Sequence, residues 1–147
     1  FKETQIAAKS LGIQLQSVEL QNSGDFASAF RTATTARAGA LLVLQSALTN
    51  ANRKTITDLA LKNRLPAMYA RPEFVDDGGL MNYGVSINSL MNRAATYVDK
   101  ILKGAKPAEL PLELPTQFKL VINLKTAKEI GVTIPPEMLM FSDRVIK

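Results

Sequence analysis

Hydrophobic residues along this chain recur with two spacings, and the switches between those spacings divide it into elements. Residues 1–11 place Ile6, Ala7 and Leu11 at helical intervals, and Gly12 can end that helix in a left-handed turn. Residues 13–20 have strand-like Ile, Leu and Val content, although the alternation breaks at Ser17 and Val18. After a turn at 21–24, Ser23 or Asp25 can cap a helix that carries Phe26, Ala29, Phe30 and Ala33 on one face, ending at Ala38 and Gly39. The run LLVLQ at 41–45 has no alternation, which suits a parallel strand covered on both sides. A short loop at 46–50 then leads into a helix over 51–63 with Ile56, Leu59 and Ala60 inward.

The second half continues the pattern. LPAMYA at 65–70 is a short strand with Pro66 near its start, where a missing amide does least harm. RPEFVDDGG at 71–79 is a polar loop, 80–83 a brief strand and 84–86 a turn. From Ile87 to Lys103 runs an amphipathic helix with Ile87, Leu90, Met91, Ala94, Val98, Ile101 and Leu102 on one side, ended by Gly104. Pro107, Pro111 and Pro115 stiffen the connector that follows. The stretch FKLVINLKTAKEIGVTIPP at 118–136 reads as a strand, an N-cap at Asn123, a helix over 124–130, a glycine stop at Gly131 and two prolines that block continuation. A last helical turn at 137–141 and a closing segment at 142–147 complete the chain.

Helices alternating with strands imply right-handed crossovers and an open α/β fold, a mainly parallel sheet flanked by helices. The first helix should follow a strand, so the sheet is expected to lack its opening strand, and the chain reads as a fragment or processed form. At 147 residues, 46% hydrophobic and 21% charged, it is large enough for a real core, and no apolar run approaches the roughly 20 residues of a membrane helix. The opening residues lack the features of a signal peptide.

Composition narrows the chemistry. With no cysteine and no histidine, thiol catalysis, disulfides and the commonest metal ligand and general base are all excluded. No phosphate loop, nucleophile elbow or zinc spacing is present, and Asp25, Asp76 and Asp77 form no metal cluster on local spacing, so neither an enzyme nor a cofactor or metal site is expected. The formal charge of +5 is spread along the chain, and Lys100, Lys103 and Lys106 read as a solvated face rather than a nucleic-acid site. Lys125 and Lys128 likewise read as solvated lysines of a short helix.

The phrase at 118–136 closely resembles the C-terminal signature of the ABC-transporter substrate-binding proteins, the uncharacterised type that includes tryptophan- and tyrosine-binding members. LLVLQSALTNANR, the LPAMY strand, EFVDDGGLMNYG and AATYVDKILKGAKPAELP extend the resemblance over nearly the whole chain, most tightly from Leu41 onward. The resemblance implies a two-lobed, hinged protein of the periplasmic type, closing over a small solute such as an amino acid. A membrane permease and its ATPase would be its partners, its place periplasmic or extracytoplasmic, with a lipid anchor outside this chain. This chain would be the C-terminal lobe, with the N-terminal lobe missing: 1–86 an α/β lobe, 87–103 a helix packed on the absent lobe, 104–117 a connector, and 118–147 the return strand and final helices. That helix is expected to bury its apolar face on a neighbouring chain, giving a dimer of the fragment, or on a residual contact. A sensory ligand-binding module is the alternative reading.

Ligands of open α/β sheets sit at the carboxyl ends of strands. The candidates are therefore Gln45, Ser46, Thr49 and Asn50 after the first strand, Tyr69, Arg71 and Phe74 after the second, and Tyr83, Gly84 and Ser86 after the third. Ser46, Thr49 and Asn50 can equally cap a helix, and Tyr69 can be a core residue. Arg71 can pair with Glu73 or Asp76, and Phe74 is either a lid over the pocket or a plug into the lobe. Tyr83 with Gly84, at the presumed hinge, is the first choice.

Overall fold

The computed structural model describes residues 1–147. Its frame is a sheet of five strands in sequential order: β1 (Leu41–Val43), β2 (Ala67–Tyr69), β3 (Met81–Val85), β4 (Phe118–Asn123) and β5 (Arg144–Ile146). β1, β2 and β3 run parallel, β4 is antiparallel to β3, and β5 is parallel to β4. The expected α/β class and mainly parallel sheet are therefore present, with one antiparallel junction. The helices are α1 (Lys2–Ser10), α2 (Phe26–Thr35), α3 (Ala47–Ala51), α4 (Arg53–Lys62), α5 (Glu73–Asp76), α6 (Ile87–Leu102), α7 (Leu124–Ile130) and α8 (Pro136–Met140).

Two apolar clusters hold the sheet. Phe26, Phe30 and Ala33 of α2 meet Ile56 and Ala60 of α4 over Ala67 and Tyr69, with Phe74 of α5 completing the cluster. Leu80, Ile122, Ala127, Ile130 and Ile134 form the second, where α7 packs beside β4. These are the faces the helical and strand periodicities mark. No helix is long and apolar enough to cross a membrane.

Several local expectations are corrected. Residues 13–20 are not a strand: the backbone from Gln14 to Leu20 makes no hydrogen bond, because no neighbouring strand offers it a ladder. Asn22, not Ser23 or Asp25, caps the turn before α2; its Oδ1 accepts from the Gly24 amide at 2.8 Å, and Asp25 Oδ2 accepts in return from the Asn22 amide at 3.0 Å. The helix expected over 51–63 starts earlier and in two pieces, α3 and α4, because Ser46 already caps at 46. Gly84 does not turn the chain; it lies inside β3, paired with Lys119 of β4. The closing segment also forms β5, an element that no local pattern marks.

Six helix ends share one geometry. After α1, α2, α4, α5, α6 and α7 the chain passes through a left-handed residue, and the next amide bonds back to the carbonyl five residues earlier: Ile13 to Ala8, Ala38 to Ala33, Leu65 to Ala60, Gly79 to Phe74, Ala105 to Lys100 and Val132 to Ala127. Gly12, Gly78, Gly104 and Gly131 fill four of the left-handed positions. The other two are arginines, Arg37 at φ 55° and Arg64 at φ 49°. A side chain there costs about 1–2 kcal/mol that glycine avoids.

Candidate functional site

Because β1, β2 and β3 share a direction, their carboxyl ends open on one edge of the sheet. β4 enters from that same edge, so β3 and β4 form a two-stranded ribbon there, closed by the Ser86 amide donating to the Gln117 carbonyl at 2.9 Å. The chain leaves the sheet along β3, runs out through α6 and returns along β4. This edge gathers the candidate residues.

After β1, Ser46 and Thr49 cap each other. Thr49 Oγ1 accepts from the Ser46 amide at 2.9 Å, and Ser46 Oγ accepts from the Thr49 amide at 3.1 Å. Both hydroxyls are engaged by the cap, and Thr49 is buried. Asn50 carries a buried Oδ1 with no protein partner, while Gln45 is exposed and makes no hydrogen bond within the chain.

After β2, Tyr69 is 1% exposed, stacked on Phe74 with ring centroids 4.7 Å apart. Phe74 is thus a plug into the lobe rather than a lid. Burial pushes the Tyr69 hydroxyl well above the usual phenol range, so it stays neutral. Arg71 forms a two-pronged ion pair with Glu73, Nε to Oε2 at 3.0 Å with a second bond from Nη2 to Oε1. That bond to Arg71 holds the Glu73 carboxyl below the usual carboxylate range. Both side chains remain partly exposed, presenting one positive and one negative group at the edge.

On the ribbon, Tyr83 and Phe118 lie on the same face and stack with centroids 5.6 Å apart; Tyr83 is 54% and Phe118 45% exposed. Gly84 is required by close approach, since a Cβ there would lie 2.1 Å from the Ala70 carbonyl oxygen. That contact draws the loop carrying Arg71 against the ribbon. Ser86 caps α6, its Oγ accepting from the Ser89 amide at 3.4 Å.

Two residues at this edge are not evident from the sequence pattern. Asn82 is the register partner of Tyr69, is 1% exposed, and has no protein partner for either amide atom. A polar residue within an otherwise apolar strand is its only signal. Phe118 comes to Tyr83 solely through antiparallel pairing, which no local pattern displays.

The edge is an open wall, not a closed pocket. A cavity of about 10 Å³ lies deeper, lined by Thr57, Gly79, Leu80 and Thr126 with Tyr69 as its single candidate residue. A groove of about 460 Å³ runs beside α7, lined by none of the candidates. No cluster of three or more Asp or Glu residues is arranged to hold a metal ion.

Comparison with known proteins fits this geometry. The chain superposes on a conserved domain protein from Vibrio cholerae O1 biovar eltor with a TM-score of 0.87 at 23% identity, over 98% of this chain and 48% of that one. A second match is an ABC domain from Streptococcus pneumonia in complex with L-Trp, with a TM-score of 0.84 at 26% identity, over 99% of this chain and 50% of that one. The ligand-free, open form of a substrate-binding protein with adhesive properties from Clostridium difficile matches with a TM-score of 0.73 at 17% identity, over 99% of this chain and 48% of that one. The chain thus spans about half the length of each solved structure it matches. A search of curated proteins returns no match. The profile of the family described as ABC transporter substrate binding protein matches residues 1–146, and the chain belongs to that family.

Proposed function

We propose that this chain is the C-terminal jaw of a hinged receptor that binds an amino acid outside the cytoplasm and delivers it to a permease and its ATPase. The observation that carries the reading is the β3–β4 ribbon, along which the chain leaves the sheet, extends α6 and returns. In this reading the ribbon is the hinge, and residues 1–86 with 118–147 are one lobe. Helix α6 belongs to the opposite lobe and the connector at 104–117 leads back. The uncovered apolar side of α6 is the seat of that other lobe; a second copy of the chain is its substitute when the chain is alone.

The ligand wall is the edge described above. Gln45 offers a free amide, Arg71 and Glu73 offer opposite charges side by side, and Tyr83 with Phe118 offers a planar apolar surface. A solute bearing a carboxylate, an ammonium and an apolar side chain matches that set. Ser46, Thr49 and Asn50 shape the loop, and Tyr69 and Phe74 support it from beneath. The complex of the streptococcal neighbour with L-Trp supports this class of ligand. Closure of the two lobes over the solute would shift an existing open–closed balance.

A thermal-shift screen of the two-lobed protein against amino acids tests the proposal. A ligand at about 100 times its dissociation constant adds about 2.7 kcal/mol, which raises the melting temperature by several degrees. Stabilisation by one or a few amino acids is expected. No shift with any amino acid, in a protein that melts cooperatively, would overturn the ligand class.

A further inference from the structure

The sheet has a second end, opposite the candidate ligand wall, and its charge is one-sided. Arg37 lies in the loop entering β1 and Arg64 in the loop entering β2; the two loops are tied by the Leu41 amide donating to the Pro66 carbonyl at 2.8 Å. Lys62 is in the last turn of α4 at the same end. β4 finishes there too, its Asn123 amide bonded to the Leu80 carbonyl at 2.8 Å, and it delivers Lys125 and Lys128 on α7. All of these cations are exposed, and none enters an ion pair. Glu129 of α7 is an unpaired acid alongside them, and Asp76 and Asp77, ahead of β3, are already held by Arg144 and Arg53. At the ligand wall, by contrast, Arg71 is neutralised by Glu73.

Cations at the carbonyl ends of α2, α4 and α7 complement the helix dipoles, and that accounts for part of the pattern. It does not account for where the two arginines sit. Gly12, Gly78, Gly104 and Gly131 take the same left-handed position without strain, whereas Arg37 and Arg64 occupy it with a side chain. A neighbouring residue with ordinary backbone angles could carry the charge to the dipole equally well. Backbone strain of this kind is retained where the side chain has a task.

We infer that this end of the lobe is a docking surface for anionic phospholipid headgroups, with Arg37 and Arg64 as its central contacts. The cations are distributed over two loops and two helices rather than converging on a pocket. Such a spread fits a plane of diffuse negative charge better than a single small anion. The surface is independent of the ligand proposed for the opposite end.

The test uses this chain with vesicles of mixed phosphatidylglycerol and phosphatidylcholine, with pure phosphatidylcholine vesicles, and with a duplex DNA fragment. Association with the anionic vesicles alone, weakened by salt, is expected. R37G and R64G should each weaken it about 5-fold and together about 30-fold, from the usual contribution of a basic residue near an anionic surface. Both variants should melt about 2 °C or more higher than the parent, because glycine relieves the left-handed position. K100Q with K103Q removes the same net charge from α6 and should leave vesicle association nearly unchanged. Absence of vesicle association, equal weakening by the α6 pair, full retention in the R37G/R64G double variant, or association with DNA alone would each overturn the inference.

Discussion

Helices α4 and α6 carry the same kind of pattern and meet different fates. α4 spans ten residues and buries Ile56, Thr57 and Ala60 against α2, β2 and the turn before β3. α6 spans sixteen, has the longer apolar stripe, and buries none of its residues. Its ties within the chain are polar and local: Tyr97 donates to the Pro111 carbonyl at 2.6 Å, and Arg93 pairs with Glu113 of the connector. Ile87, Met91, Val98, Ile101 and Leu102 remain exposed. An amphipathic pattern therefore records that a covering surface exists, not that the surface lies within the same stretch of chain. For α4 it does. For α6 it belongs, in the hinged two-lobed receptor we propose, to the opposite lobe.

Core truncations give the widest contrast between the two regions. Ile122→Ala, at a fully buried position of β4, should cost about 2–5 kcal/mol in urea unfolding of this chain. Ile101→Ala on α6 should change the same midpoint by no more than about 0.5 kcal/mol. Equal losses would place α6 inside the cooperative core and remove the contrast.

Capping sharpens the contrast at smaller scale. Ser86→Ala removes the cap of a helix that no core supports, at a cost of about 1 kcal/mol. In this chain the loss should appear as reduced helical circular dichroism with an unchanged unfolding midpoint. A midpoint that drops in step with the helical signal would mean that α6 and the sheet unfold as one unit.

The weakest expected effect belongs to the ligand wall. The folded Glu73 carboxyl is held below its ordinary value, chiefly by its bond to Arg71, so the pair favours the folded state while Glu73 is ionised. That contribution is complete above the unfolded carboxylate range, near pH 4 to 5, and fades as pH falls through the lowered folded value. Because both side chains are partly exposed, solvent reduces it to a small term. Glu73→Gln should slightly flatten the loss of stability on acidification, measured by thermal melts across that range, and leave melts at pH 7 to 8 with a small uniform decrease. An unchanged acid slope would show that the pair contributes nothing to folding.

Local signals carry most of the fold. Asn123 and Gly131 delimit α7 as their chemistry requires, with Asn123 Oδ1 accepting from the Thr126 amide at 3.2 Å and Gly131 at φ 79°. The bounds of α6 follow directly from its periodicity and from Gly104. What the sequence does not display depends on pairing at a distance. A strand needs a neighbour, so 13–20 has the composition of a strand without the ladder, while the modest Arg144–Ile146 becomes β5 because β4 lies beside it. The site divides in the same way. The three loops are legible from strand order, but Phe118 reaches Tyr83, and Asn82 aligns with Tyr69, only through sheet register. Whether a hydroxyl such as that of Thr49 is free or spent in a cap likewise depends on the backbone conformation around Ser46.

Amide hydrogen exchange across residues 87–102 asks whether α6 awaits a lobe beyond this chain. The chain alone, diluted until monomeric, would be compared with the two-lobed protein. Rapid exchange of α6 is expected in the chain alone, beside strong protection of β2, β3 and β4, with a large gain in α6 protection when the other lobe is present. Protection of α6 that is already as strong as that of the sheet in the isolated monomer, and unchanged in the longer protein, would contradict the assignment of α6 to the opposite lobe.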